Sequence, residues 1–317
     1  MQMNSSHTIA VIDIGTNTTR LLVRSLNDPK ADLARVVKIT RLGADLEETG
    51  SLGKAGMELT RSAVEEYVLH AQKLGCAIGD ISIFATAGSR NSKNGAQFIQ
   101  SLEDEFGCSA KVISGEQEGN FAFTGAVSGI DKLEVPCVVF DIGGGSTEFA
   151  VSSMDDFLTC SNVVSIPIGS VRITKRHLES DPPKPEELTN AIADIREYLN
   201  DVEMQIPSIR SRKKWIGVAA TVTTAAAVEL GMAQFDATRI HEMILTREMV
   251  EEIFRTLATE SLEDRKHNPG LEEQRADVIV GGFAIIVSIM RQFELSEIQV
   301  SCTDLLDGLW LAAAQAS

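Results

Sequence analysis

The sequence has no paired cysteine motif and no long hydrophobic run. Its five cysteines are odd in number and scattered, and none belongs to a C-x-x-C pair, so a reduced cytoplasmic protein is predicted. The longest nearly apolar run, residues 278–290, is shorter than the roughly 20 residues that span a bilayer, and it is expected to form a buried helix. The opening residues, MQMNSSHTIAV, lack a basic segment followed by an apolar one, so no signal peptide is expected.

An excess of positive charge is also missing. The chain has 29 Lys and Arg against 45 Asp and Glu, a formal charge of −16. Such a charge opposes nonspecific binding to nucleic acid and to anionic membranes, so neither is predicted as a partner. A local basic patch is still compatible with an anionic substrate. A chain of 317 residues is long for one hydrophobic core and sufficient for two domains.

One glycine-bearing motif occurs twice, as VIDIGTNTTRLLV at residues 11–23 and as VVFDIGGGSTEFAV at residues 138–151. Superimposing Asp13 on Asp141 also aligns the Ile-Gly that follows each aspartate. Both copies continue as alternating β-branched and apolar residues, whereas a dinucleotide-binding loop continues as a helix. Each copy therefore predicts a β-hairpin with a glycine-bearing turn, and the repeat predicts two similar subdomains.

The hairpin turns are candidate phosphate sites. Backbone N–H groups exposed in such a turn form a concave site for phosphate oxygens, and an acid beside it suits a hydrated divalent cation. A purely structural turn is the alternative. The candidate phosphate-binding residues in the turns are Thr16, Asn17, Gly143, Gly144, Gly145 and Ser146.

Beyond the repeat, the pattern predicts a strand near residues 35–41 and a helix at about 55–74. Residues 113–119, ISGEQEG, begin a further helix, because Ser114 and Gln117 have capping-box spacing. Glu118 falls in the first turn of that helix. From the residues alone, it is either a functional carboxylate or an acid that complements the helix dipole.

The duplicated Asp-Ile-Gly hairpin resembles the actin and sugar-kinase superfamily. DIGGGSTE and ISGEQEG, together with ATAGSRN, RIHEMILT and VSCTDLLDGLW in the same order, are similar to the exopolyphosphatase/guanosine pentaphosphate phosphohydrolase family. The resemblance implies an α/β fold of two actin-like (ribonuclease H-like) domains with an active-site cleft between them. It implies domain I at residues 1–125, joined by a returning segment 302–317, and domain II at 126–301. The chain also resembles the short members of that family, which lack additional helical domains.

The resemblance also implies roles for particular acids. Glu118 corresponds to the catalytic glutamate of the family motif S-G-x-x-E-[AG], although Gln117 stands where many members carry another acid. A Mg²⁺ site is implied at Asp141 and Glu148, which bracket the second turn, with Asp13 as a weaker candidate ligand. Oxygen ligands of this kind suit Mg²⁺.

Cationic candidates lie at two further places. Arg20 occupies the position in the first hairpin that Glu148 occupies in the second. Arg90 and Asn91 follow a strand, at the end where open α/β sheets place ligands, and an arginine there suits bidentate phosphate contact. A surface arginine is the alternative for Arg90.

Two basic clusters stand out from the acidic background, and each is either a solvated face or part of a channel for a long polyanion. They comprise Arg172, Lys175, Arg176, His177, Arg210, Arg212, Lys213 and Lys214.

Together these features predict a Mg²⁺-dependent phosphohydrolase that releases terminal orthophosphate from polyphosphate, possibly from short chains, through a water activated by Glu118. The sequence contains no Walker P-loop, no C-x5-R loop and no D-x-D pair, so direct attack by water is the simplest route. Hydrolysis of guanosine pentaphosphate is the first alternative. A small-molecule kinase and a non-catalytic alarmone sensor or filament protein are the others. The resemblance further implies a homodimer.

Overall fold

A computed structural model describes residues 7–316 of the chain. Part of the N-terminal segment used to predict that there is no signal peptide, residues 1–6, lies outside the described residues. The chain divides into two compact units: unit 1 extends to Phe121 and resumes at Leu306, whereas unit 2 comprises Ala122–Leu305. The resemblance implied divisions at 125/126 and 301/302, whereas the two compact units divide at 121/122 and 305/306.

Unit 1 is an α/β unit built on one five-stranded sheet. Its strands are β1 (Thr8–Ile14), β2 (Thr18–Ser25), β3 (Asp28–Ile39), β4 (Ile81–Ala85) and β5 (Ser109–Val112). Its helices are α1 (Leu46–Thr49), α2 (Lys54–Lys73), α3 (Ala87–Arg90), α4 (Gly95–Phe106) and the first part of α5 (Gly115–Gly129).

Unit 2 is an α/β unit built on a six-stranded sheet. Its strands are β6 (Cys137–Ile142), β7 (Thr147–Ser152), β8 (Cys160–Ile166), β9 (Lys214–Val218), β10 (Ile244–Thr246) and β11 (Glu297–Val300). Its helices are α6 (Ser170–His177), α7 (Pro185–Gln205), α8 (Ala219–Glu229), α9 (Ala237–Ile240), α10 (Arg247–Thr259), α11 (Leu262–Arg265) and α12 (Ile279–Gln292). The last helix, α13 (Leu305–Ala316), belongs to unit 1 from its second residue onwards.

The two sheets share one topology. The first has the order β3-β2-β1-β4-β5, and the second has β8-β7-β6-β9-β11 with β10 added at the edge. In each sheet three consecutive strands, β1–β3 or β6–β8, form an antiparallel meander. The next two strands in the sheet, β4 and β5 or β9 and β11, run parallel to β1 or β6. The duplication read from the sequence is confirmed, and so is the fold class of two actin-like, ribonuclease H-like α/β units.

Central strands of both sheets are buried along their whole length, which explains their continuous apolar sequences. β3 behaves differently, because it is an exposed edge strand. The predicted strand at 35–41 is too short at its start, because β3 already begins at Asp28. Pro29 and several polar residues hide the strand pattern there, and an edge strand tolerates both.

Each unit has its own hydrophobic core. In unit 1 the sheet packs against Tyr67 of α2 and Leu102 of α4, among others. In unit 2 the core centres on α12, whose residues from Ile279 to Met290 are all buried. The prediction of a buried helix at 278–290 is confirmed. None of the helices in residues 7–316 is long and apolar enough to cross a bilayer, and all five cysteines are free thiols.

Candidate active site

The turn of the first hairpin is closed by its own backbone and held by the segment that follows β3. The N–H of Gly15 donates to the Thr18 carbonyl at 2.9 Å. The carbonyl groups of Thr16 and Asn17 accept hydrogen bonds of 2.8–3.0 Å from backbone amides of residues 40–43. These carbonyl oxygens, which would repel a phosphate, are thereby directed toward protein donors.

The turn of the second hairpin repeats this arrangement. The N–H of Gly143 donates to the Ser146 carbonyl at 3.0 Å. The carbonyl groups of Gly143 and Gly144 accept hydrogen bonds of 2.9–3.2 Å from the amides of residues 170–172, at the start of α6. The Gly143 amide closes the turn, so within this turn the predicted phosphate contact is better assigned to the amides of Gly144, Gly145 and Ser146.

Gly169 allows the start of α6 to approach the second turn. A Cβ atom at this position would lie 2.5 Å from the carbonyl carbon and oxygen of Gly144, closer than real Cβ contacts. Gly169 has an extended backbone, with φ −159°, which any residue adopts. The requirement for glycine here is therefore steric, and it comes from backbone meeting backbone.

Strand register pairs the acids that bracket the turns. Asp13 lies directly opposite Arg20 across β1 and β2, and Asp13 Oδ2 accepts from Arg20 Nε at 2.9 Å and lies 2.8 Å from a terminal guanidinium nitrogen. Asp141 lies directly opposite Glu148 across β6 and β7. The first hairpin therefore pairs an acid with a base, whereas the second sets two carboxylates side by side. Both carboxylates are buried, with Asp141 6% and Glu148 1% exposed.

The second pair fits a divalent cation. Like charges directly opposite each other on adjacent strands destabilise a sheet, so a cation shared between them is favoured. Mg²⁺ in proteins is commonly held by one or two carboxylates together with water and substrate phosphates. Among residues 7–316 no group of three or more His, Cys, Asp or Glu side chains is placed to hold a metal. Asp141 and Glu148 would therefore bind the cation together with water and substrate phosphates. Asp13 belongs to the other unit and bonds to Arg20, and its role as a ligand stays a prediction.

A hydroxyl group on the third strand contacts the second pair. Ser165 of β8 is the register partner of Glu148, and its Oγ donates to Glu148 Oε1 at 2.7 Å. Ser165 could not be predicted as a site residue, because a lone serine in a strand carries no motif.

Glu118 is fixed at the start of α5 by the predicted capping box. The N–H of Gln117 donates to Ser114 Oγ at 3.1 Å, and the N–H of Ser114 donates to Gln117 Oε1 at 2.9 Å. This reciprocal pair confirms the capping box. Gln117 supplies the second half of the box, so its departure from the family acid keeps the cap. Glu118 itself is 6% exposed, whereas Glu116, two residues earlier in the same helical turn, is exposed.

Arg90 reaches Glu118 from the end of α3. One terminal nitrogen of its guanidinium group donates to Glu118 Oε2 at 2.8 Å and to the Ile113 carbonyl at 2.9 Å. The Thr86 side chain also hydrogen-bonds to Glu118. Burial raises the pKa of the Glu118 carboxyl to about 7, aided by the charge of Asp13, while Arg90 and Thr86 work in the opposite direction.

This contact gives Arg90 a partner that the sequence did not predict. Arg90 is predicted from its position to bind phosphate, whereas in the structure it is bound to a carboxylate and a backbone carbonyl. Its remaining donors leave phosphate contact as a prediction. Asn91 is exposed and follows α3. Thr86, at the end of β4, was also missed, although it lies in the ATAGSRN segment that carried the resemblance.

The basic clusters are largely engaged within unit 2. Arg210 pairs with Glu203, and Arg212 is only 8% exposed and contacts Met154. Arg172 is likewise buried and donates to the Pro167 carbonyl at 3.1 Å. Three of the arginines proposed for a polyanion channel thus have other contacts, which weakens the channel hypothesis.

The repeated sheet and its paired hairpins define an actin-like protein that carries a buried glutamate. The Ppx/GppA phosphatase family matches residues 23–316. Exopolyphosphatase 2 of Mycobacterium tuberculosis is 30% identical over 325 residues, which cover 96% of this chain and 98% of that protein.

Solved structures give the same result. The fold matches that of an exopolyphosphatase-like protein with a TM-score of 0.90 and 26% identity, over 98% of this chain and 99% of the other. It matches the Aquifex aeolicus Ppx/GppA family member with a TM-score of 0.79 and 29% identity, over 98% of both chains. This chain belongs to the Ppx/GppA phosphatase family, and the predicted phosphatase class is confirmed.

Proposed function

We propose that this protein is a Mg²⁺-dependent phosphohydrolase that releases orthophosphate from the end of inorganic polyphosphate. The observation that carries the proposal is Glu118, a buried carboxylate whose pKa is raised to about 7. A base with a pKa near the working pH is suited to accept a proton and still be ionised in a useful fraction of molecules. The name of the Mycobacterium tuberculosis relative, Exopolyphosphatase 2, supports polyphosphate as the substrate.

In the proposed reaction, Glu118 accepts a proton from a water molecule as the water oxygen attacks the terminal phosphorus. The bond between that phosphorus and the bridging oxygen breaks, and the shortened chain leaves with the electron pair. Orthophosphate and a chain one phosphate shorter are the products. Arg90 and Thr86 hold the carboxylate in one orientation, which reduces the reorganisation needed during the proton transfer.

Two further groups complete the proposed chemistry. The amides of Gly144, Gly145 and Ser146 would donate to phosphate oxygens, as expected of a backbone site for anions. Asp141 and Glu148 would hold Mg²⁺, which supplies neutralisation of phosphate charge when bound. Roles in phosphate binding for Thr16, Asn17, Arg20 and Asn91, the assembly into a homodimer and a cytoplasmic location belong to the same proposal.

The test is orthophosphate release with Mg²⁺ from tripolyphosphate, long-chain polyphosphate and guanosine pentaphosphate, measured side by side. Glu118→Gln is the test variant, and Glu116→Gln is the matched control because Glu116 lies in the same helical turn but is exposed. We expect release from polyphosphate, with kcat reduced by about 10² to 10⁴ in Glu118→Gln and nearly unchanged in Glu116→Gln.

Turnover of guanosine pentaphosphate alone would replace polyphosphate as the substrate and leave the role of Glu118 intact. An absence of release from all three substrates by folded wild-type protein would refute the hydrolase. Equal activity of Glu118→Gln and wild type would refute the proposed base.

A further inference from the structure

Three polar side chains lie in one row across the sheet of unit 2. Register places Asp141 of β6 opposite Glu148 of β7, and Glu148 opposite Ser165 of β8. Directly opposed residues on neighbouring strands point to the same face of a sheet. Glu148 therefore has a like charge on one side and a hydroxyl donor on the other.

The same row in unit 1 is built differently. There Asp13 lies opposite Arg20, and Arg20 lies opposite Val37 of β3. The middle residue is a cation bonded to the acid, and the third position holds an exposed apolar side chain. The hydroxyl donor Ser165 is thus found in unit 2, where the middle residue of the row is the carboxylate Glu148.

The Ser165 hydrogen bond acts on the orientation of Glu148. The hydroxyl donates to Oε1 at 2.7 Å, a distance normal for a well-formed O–H···O hydrogen bond. It holds Oε1 on the β8 side of Glu148, opposite to the side on which Asp141 lies. Because β8 is paired with β7, the position of Ser165 is fixed. Its hydrogen bond therefore limits rotation of the Glu148 carboxylate and holds that carboxylate away from Asp141.

We propose that Ser165 is a positioning residue that orients Glu148 for a divalent cation held with Asp141. The inference deepens the proposed function and rests on it. Partners that orient metal-binding carboxylates raise metal affinity by limiting the conformations that the ligand must lose on binding, and their loss commonly weakens binding about 10- to 100-fold.

The test compares Ser165→Ala with Ser165→Thr and with Ser161→Ala. Threonine keeps the hydroxyl group. Ser161 is the matched control, because it lies on the same strand and donates to the carbonyl groups of Val151 and Ser152 on β7 rather than to a carboxylate. Binding of Mn²⁺, used as a spectroscopic probe for the cation, is followed by electron paramagnetic resonance without substrate. The Mg²⁺ dependence of phosphate release is measured in parallel.

We expect Ser165→Ala to weaken Mn²⁺ binding about tenfold and to raise the Mg²⁺ concentration for half-maximal activity by a similar factor. At saturating Mg²⁺ its kcat should stay within about twofold of wild type. Ser165→Thr should restore most of the affinity, and Ser161→Ala should match wild type. Urea unfolding of each variant checks that the fold is retained.

The wild-type result separates the two proposals. If wild type binds Mn²⁺ but Ser165→Ala binds it equally well, Ser165 has no positioning role and the metal site stands. A fall in kcat that saturating Mg²⁺ does not restore, with unchanged metal affinity, also overturns the role of Ser165. If wild type neither binds Mn²⁺ nor requires Mg²⁺, the proposed metal dependence fails, and the role of Ser165 fails with it.

Discussion

Arg90 donates a hydrogen bond of 2.8 Å to the Glu118 carboxylate, and its charge opposes the effect of burial on the pKa of that group. Arg90→Gln removes the opposing charge, so the pKa of Glu118 should rise further above about 7. The pH at which kcat/KM reaches half its maximum should therefore move upward by about one unit or more.

The measurement is the pH profile of phosphate release between pH 5.5 and 9.5. Ionisation of the substrate affects all variants equally, so the difference between profiles reports on the enzyme. Arg61→Gln serves as control, since Arg61 pairs with the exposed glutamates Glu58, Glu65 and Glu105 on the surfaces of α2 and α4. An Arg90→Gln profile that coincides with wild type would show that this contact does not set the titration.

Burial of Glu118 also makes stability depend on pH. Its folded-state pKa of about 7 lies above the ordinary value of 4.5, so the folded state retains a proton that the unfolded state releases. Stability is therefore lost as pH rises from 4.5 to 7, and Glu118→Gln lacks this loss. Relative to wild type, the variant should gain roughly 2 to 3 kcal/mol between pH 5 and pH 8. Urea unfolding at four pH values measures the difference, and a constant difference would contradict a raised pKa.

The C-terminal helix should depend on a buried acid. Asp307 of α13 is fully buried and accepts hydrogen bonds from Arg24 at 2.5 Å and from Arg35 at 2.7 Å. Asp307→Asn removes the charge that compensates these arginines, and we expect a loss of about 3 kcal/mol in the free energy of unfolding. Glu252→Gln breaks an exposed pair with Arg255 and should change stability by less than about 1 kcal/mol. Equal effects of the two substitutions in urea unfolding would argue against the buried pairing.

Gly169 should be sensitive to a single added methyl group. Its Cβ would meet the Gly144 backbone at 2.5 Å, so Gly169→Ala must displace either α6 or the glycine turn. We expect kcat/KM to fall at least tenfold and stability to fall by about 1 to 3 kcal/mol. Gly79→Ala is the control, because no atom lies within 4 Å of its Cβ position. Unchanged kinetics for Gly169→Ala would show that the turn geometry does not matter for activity.

Local sequence patterns predicted the two hairpins and the helix cap, because these features depend on interactions between residues close together in the chain. Alternation in the duplicated motif predicted the hairpins, and hairpin geometry then places Glu148 opposite Asp141. The spacing of Ser114 and Gln117 predicted the cap that fixes Glu118. The fold of two actin-like domains came from resemblance to a family, since sheet topology is not written in local periodicity.

The contacts that tune the site could not be predicted in the same way. Arg90 and Glu118 are 28 positions apart, and their bond depends on how α3 follows β4 and how α5 follows β5. Arg90 was assigned to phosphate because an arginine at a strand end suits an anion, and the sequence does not show that a carboxylate lies nearer. Ser165 bonds to Glu148 only because β8 pairs with β7 in one register.

The two hairpins share a common backbone geometry and carry opposite charges at one equivalent position. Where one copy has Arg20, the other has Glu148, and the turns and strand pairings around them are otherwise equivalent. In one repeat Arg20 on the neighbouring strand neutralises the acid, whereas the other repeat brings two acids together. The two hairpins thus differ in chemistry through the charge of one side chain, while their turn geometry and strand pairing are the same.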